Sequence, residues 1–119
     1  MLKIAGSGDE LQGIKRGIIE MSDLIAINKS DGENVENSEK SKNEFQLALK
    51  LFPIKSSQWT PKVLTCSALS GKGLNEIWNS IEDYTVLTKK NNYFYQNRIN
   101  QNKFWLKQMI NESIQRSFY

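Results

Sequence analysis

Asn28-Lys29-Ser30-Asp31 is the segment of this chain with the clearest chemistry, because it directly follows the continuous apolar run Leu24-Ile25-Ala26-Ile27. A carboxylate at Asp31 can accept both adjacent donors of guanine, the ring N–H and the exocyclic amine, as a charge-assisted bidentate pair. Adenine presents no such pair of donors, and polar discrimination of this kind reaches roughly 10⁴-fold. Asn28 is suited to tying the loop to neighbouring backbone, the stem of Lys29 to lying along a purine face, and Ser30 is the variable position. Ser67-Ala68-Leu69 follows a second apolar run, Val63-Leu64-Thr65-Cys66. A tight turn there aims a backbone N–H at the carbonyl oxygen of guanine, which adenine lacks. Asn, Ser, Asp and Gly are also ordinary turn formers, so each segment alone reads equally as a plain turn. At the ends of two strands, in this order and one βα unit apart, they read as two halves of a guanine-recognition site.

Other candidate chemistries fail on their spacing. Gly6-Ser7-Gly8 begins like a dinucleotide loop, but Leu11 stands where its third glycine belongs. Gly71-Lys72-Gly73 has glycine where a phosphate loop needs the magnesium-binding Ser or Thr, and no glycine lies five residues before Gly71. Absence of histidine together with a single cysteine excludes the usual zinc sets. Cys66 reads as strand packing, since no histidine base exists to activate it.

The elements that position these residues follow from hydrophobic periodicity. Met1 to Ile4, apolar apart from Lys3, reads as the tail of a strand that begins earlier in a longer protein, broken by Gly6-Ser7-Gly8. Asp9 is a candidate N-cap for a helix through Leu11, Ile14, Ile18, Ile19 and Met21. Asp23 to Ile27 is a strand buried on both faces. Gly32 to Ser41 is polar enough to be a loop or a frayed helix start. Phe45, Leu47, Ala48, Leu49, Leu51 and Phe52 make an apolar helix that Pro53 stops. Lys55 to Pro61 is a loop with Trp59 exposed or tucked beneath it. Val63 to Cys66 is the next strand, and Leu74, Ile77, Trp78 and Ile81 trace a helical face to about Tyr84. This alternation predicts a parallel α/β sheet of βαβ units, whose ligands bind at the C-terminal strand ends. After the polar break Lys89-Lys90-Asn91-Asn92, the positions Ile99, Leu106, Met109, Ile110, Ile114 and Phe118, widened by Phe104 and Trp105, predict an amphipathic helix from about Gln96. The expected division is residues 1–88 and residues 89–119.

With 119 residues the chain holds one small domain and an appendage, and buries about two-thirds of its unfolded surface. Its net charge of +3 and pI of 9.0 are mildly basic, but Lys and Arg are interspersed with Asp and Glu. No clustered footprint for nucleic acid is present. No apolar run is long enough for a membrane span. The lone Cys66 suits a reducing compartment, so a cytoplasmic chain is expected.

Four segments together carry a resemblance: Gly8 to Ile18 (GDELQGIKRGI), Ala26 to Asp31 (AINKSD), Trp59 to Leu64 (WTPKVL) and Gly71 to Leu74 (GKGL). The sequence closely resembles the methylmalonyl-CoA mutase-associated GTPases, the MeaB/ArgK family, over almost its whole length. Members are P-loop GTPases that act as chaperones of adenosylcobalamin-dependent methylmalonyl-CoA mutase and form homodimers through C-terminal helical segments. The resemblance therefore implies an α/β fold, the C-terminal part of a P-loop GTPase domain, followed by an amphipathic dimerisation arm. It implies GTP or GDP as ligand, with the base contacted by Asn28, Lys29 and Asp31 and by Ser67, Ala68 and Leu69, and the mutase and a second copy as partners. The family's phosphate loop, magnesium-binding segments and DxxG switch are not found in the sequence. A fragment with Mg²⁺ ligands elsewhere and no GTP hydrolysis of its own is expected. The alternative is a non-catalytic helical module for dimerisation or protein interaction.

Overall fold

The computed structural model describes residues 1–4 and 16–118. In chain order they form β1 (Leu2–Ile4), α1 (Arg16–Met21), β2 (Leu24–Asn28), a 3₁₀ turn (Gly32–Asn34), α2 (Val35–Leu49), β3 (Lys62–Thr65), α3 (Leu74–Lys90) and α4 (Tyr93–Phe118). The break at Gly6-Ser7-Gly8, the Asp9 cap and the helical positions Leu11 and Ile14 lie outside the described residues; α1 carries Ile18, Ile19 and Met21.

Parallel pairing of β1 with β2 and of β2 with β3 gives a sheet in the order β1-β2-β3. The apolar run of β2 is central, as its lack of polar alternation requires: Ile25 and Ile27 are fully buried and Ala26 nearly so. Ile25 lies opposite Val63, and Ile25, Ile27 and Val63 meet Ile19 of α1 and Phe45 of α2 in the main core cluster. Leu24 and Ala26, of opposite parity, face the α3 side, where Ile81 lines a hollow with them. Beyond β3, the N–H of Cys66 still donates to the carbonyl of Ile27 at 2.8 Å, so the ladder extends to the residue before Ser67.

Two helices differ in extent from their sequence-based expectation, and the structure decides between the two placements open for Trp59. The polar stretch from Val35 to Ser41 is helix, and α2 ends at Leu49. Its buried face is built from Ser38, Ser41 and Phe45, with the Ser38 hydroxyl donating to the carbonyl of Asn34 at 2.9 Å. Small serines let the helix approach the sheet without an apolar side chain, while Leu47 and Leu51 are exposed. Trp59 is tucked under its loop: it is buried, its Nε1 donates to the carbonyl of Asp23 at 2.8 Å, and its ring meets Tyr84 edge-to-face at 5.4 Å. Helix α3 continues past Tyr84 to Lys90, with Thr88 fully buried and its hydroxyl bonded to the carbonyl of Tyr84 at 2.7 Å.

Asn91 and Asn92 separate α3 from α4. Asn92 takes the left-handed conformation (φ 66°), which asparagine tolerates better than most residues. The Asn91 side chain donates to the carbonyl of Ser57 at 2.7 Å and accepts the N–H of Tyr93 at 3.0 Å, fixing the start of α4. No side chain of α4 is buried. Among the described residues, no helix is long and apolar enough to cross a membrane.

Candidate guanine-recognition site

Because β2 and β3 are adjacent and parallel, the loops that follow them leave the same edge of the sheet. The chain turns sharply after Asn28: Lys29 is left-handed (φ 60°) and exposed, while Ser30 is buried. The side-chain amide of Asn34 donates to the carbonyl of Lys29 at 3.0 Å and holds that turn. The N–H of Ser30 donates to the carbonyl of Cys66 at 2.9 Å, which links the first loop to the second through main chain alone.

Two further bonds join the loops through side chains. Asn28 Oδ1 accepts the N–H of Ala68 at 3.0 Å, and the Cys66 thiol approaches the same oxygen at 3.7 Å. Asp31 Oδ2 accepts the hydroxyl of Ser67 at 2.5 Å. Ser67 Oγ in turn accepts the N–H of Ser70 at 3.2 Å, so the hydroxyl is oriented from one side and donates from the other. Asp31 keeps Oδ1 without a donor among the described residues, and the carboxylate is half-buried.

The second loop is closed by the N–H of Ser67 donating to the carbonyl of Lys72 at 2.9 Å and that of Gly71 donating to the carbonyl of Ser67 at 2.8 Å. Gly73 makes this closure possible. Its φ of 78° is left-handed, and a Cβ there would collide with the carbonyl oxygen of Thr65 while standing 3.2 Å from Cys66 Cα. Between Ser67 and Lys72, the N–H of Leu69 alone has no acceptor among the described residues, those of Ala68 and Ser70 being bonded inside the site. The Leu69 side chain is 91% exposed.

Of the six candidate residues, Asn28, Asp31, Ser67 and Ala68 are in direct contact, and Lys29 and Leu69 stand exposed beside them. The Ser67 to Asp31 bond and the close packing at Gly73 were not read from the sequence, because both depend on tertiary approach. The glycine at a strand-to-helix turn was the available signal. Burial pushes the Cys66 thiol pKa up, which favours the inert protonated form and agrees with a packing role.

A carboxylate acceptor at Asp31 and a backbone donor at Leu69 are groups of the kind that pair with the ring N–H and amine and with the carbonyl oxygen of a guanine base. Known proteins are similar to this chain in sequence and fold. The family model described as methylmalonyl Co-A mutase-associated GTPase MeaB matches residues 1–119. The GTPase ArgK of Escherichia coli (strain K12) is 42% identical over 95% of this chain and 34% of its own length. The methylmalonic aciduria type A homolog, mitochondrial, of Mus musculus is 40% identical over 93% of this chain and 27% of its own length. The crystal structure of a LAO/AO transport system kinase superposes with a TM-score of 0.80 at 39% identity, covering 87% of this chain and 34% of that one. The chain thus spans about a third of the length of such relatives. Their α/β fold with a parallel sheet is the one expected and observed here. On this similarity of sequence and structure, the chain belongs to the methylmalonyl Co-A mutase-associated GTPase family, MeaB.

Proposed function

We propose that this chain supplies the guanine-reading part of a GTP- and GDP-binding protein that serves adenosylcobalamin-dependent methylmalonyl-CoA mutase as a chaperone in the cytoplasm. The observation that carries this reading is the Asp31 carboxylate, held through Oδ2 by Ser67 with Oδ1 left open at the C-terminal edge of the sheet. In this reading Asp31 accepts the ring N–H and amine of guanine, and Asn28 holds the second loop in register through Ala68. The Lys29 stem covers one purine face, and a backbone N–H of the Ser67-Ala68-Leu69 turn meets the guanine carbonyl oxygen. Magnesium accompanying GTP has no proposed ligand among the described residues, and phosphoryl transfer is assigned to none of them. Residues 1–88 carry the base-reading loops and residues 89–119 the arm for homodimer formation.

Titration of the purified chain with a fluorescent GDP analogue tests the proposal, with unlabelled ADP as competitor and Asp31→Ala as control. Saturable binding that ADP does not displace, and that Asp31→Ala abolishes, is the expected result. Equal displacement by ADP and GDP, or binding unchanged in Asp31→Ala, would overturn it.

A second reading, a non-catalytic helical interaction module, is favoured by the exposure of Trp105, Leu106 and Met109 on α4. Self-association that depends on concentration but not on nucleotide, in a chain that binds no GDP, would select it.

A further inference from the structure

The sheet end opposite the base-reading loops carries a groove of about 620 Å³. Leu49 at the end of α2 and Phe52 in the turn after it, with Val63 and Leu64 of β3, supply apolar walls, and Pro53 and Ile54 form a lip. Ile54 is 85% exposed.

Its rim is cationic. Lys42, Gln46 and Lys50 line it at spacings of i, i+4 and i+8 along one side of α2. Lys62 stands at the start of β3, its ammonium 5.1 Å from the centre of the Trp59 ring. Lys55 is neutralised by Asp23 at 3.1 Å. Among the described residues, Lys42, Lys50 and Lys62 have no carboxylate partner and Glu20 is the one acid that lines the groove.

An apolar slot ringed by unpaired ammonium groups complements a chain segment that places carboxylates around one or two apolar side chains. We propose that this groove docks an acidic, amphipathic segment of a partner protein. Its apolar anchor lies against Phe52 and Val63, and its carboxylates pair with Lys42, Lys50 and Lys62. A protein segment suits the site better than a compact ligand because it can also cover the exposed Ile54 at the lip, which a compact ligand seated in the slot would leave in water. The surface is separate from the proposed nucleotide site, so either can fail without the other.

Titration of the full ¹⁵N-labelled chain with two synthetic peptides tests the inference, one mixing Glu with Leu and Phe, the other carrying Lys in place of every Glu. The expected result is saturable shifts at the amides of Lys50, Ile54 and Lys62 with the acidic peptide alone, weakened about tenfold or more in Lys42→Glu/Lys50→Glu. Lys42 lies on α2 and Lys50 caps its C-terminal end, neither of them in the core, and circular dichroism verifies the fold. No shift in the groove at peptide concentrations to about 1 mM, a range that covers weak complexes, would overturn the proposal. Equal response to both peptides would overturn it too. So would groove shifts with decanoate where the acidic peptide gives none, which would assign the groove to a small amphiphilic anion.

Discussion

Ser67 Oγ donates to Asp31 Oδ2 at 2.5 Å, joining two loops whose residues stand 36 positions apart in the chain. A carboxylate that must meet two donors of a planar base has to be fixed in rotation about its side chain, and this bond supplies that constraint. Hydrogen bonds to charged groups contribute about 1.5–3 kcal/mol. Ser67→Ala is therefore expected to weaken GDP binding about tenfold or more and to narrow the preference over ADP, as read by competitive titration. Undiminished affinity would mean that Asp31 is positioned without Ser67.

Asp31→Asn replaces one acceptor of the carboxylate with an amide donor. Xanthine presents a carbonyl acceptor where guanine presents its amine, so the variant is expected to bind xanthosine diphosphate better than GDP. Preference is measured by competition between the two against a fluorescent nucleotide. Retained guanine preference would count against Asp31 as the base reader.

The apolar runs of β2 and β3 were legible because a strand buried on both faces leaves no polar alternation, and the loops after them were legible as turn formers at strand ends. The segment from Val35 to Ser41 read as either a loop or a frayed helix start, since its buried positions are Ser38 and Ser41, which periodicity counts as polar. Leu47 and Leu51 misled in the opposite sense: they are apolar yet exposed. Trp59 left two placements open because its partners, the Asp23 carbonyl and the Tyr84 ring, lie 36 and 25 positions away. Within the site, the residue types were legible, but the pairing of Asn28 with Ala68 and of Asp31 with Ser67 depends on how two separate loops approach.

Gly71 and Gly73 are both left-handed, with φ of 82° and 78°, but their surroundings differ. A Cβ at Gly71 meets nothing within 4 Å, whereas one at Gly73 runs into the Thr65 carbonyl and Cys66. Gly71→Ala should cost about 1–2 kcal/mol, the ordinary cost of a left-handed alanine. Gly73→Ala adds a backbone clash and should cost more, with displacement of the Ser67 loop. Thermal unfolding followed by circular dichroism ranks the two, and equal losses would mean that the loop yields at Gly73.

Tyr84 has its pKa pushed up from 10.0 to about 12, first by burial and then by the negative charge of Asp23. The folded chain therefore keeps the phenol proton over a range in which the unfolded chain has lost it. Fewer protons on the unfolded state mean that stability falls as pH rises. This contribution is complete below about pH 10 and is lost progressively between about pH 10 and 12. Denaturant midpoints across that range should fall more steeply for the unmodified chain than for Tyr84→Phe, and parallel curves would assign the slope to other groups.

Helix α4 runs from Tyr93 to Phe118 without a buried side chain: Leu106 and Met109 leave more than half of their surface in water and Ile110 nearly half. These residues and Ile114 recur at threes and fours, forming one stripe of a helix that packs on nothing beyond its first turns. Burying such side chains against a second copy is favourable by roughly 1.5–3 kcal/mol for each one fully covered. A Glu at this position removes that gain and opposes burial through its charge. Leu106→Glu together with Ile110→Glu should shift the chain from dimer to monomer in sedimentation equilibrium. The fold of residues 16–90 should remain, because no core residue touches that stripe. A chain that is monomeric before substitution would overturn the assignment of α4 as a homodimer arm.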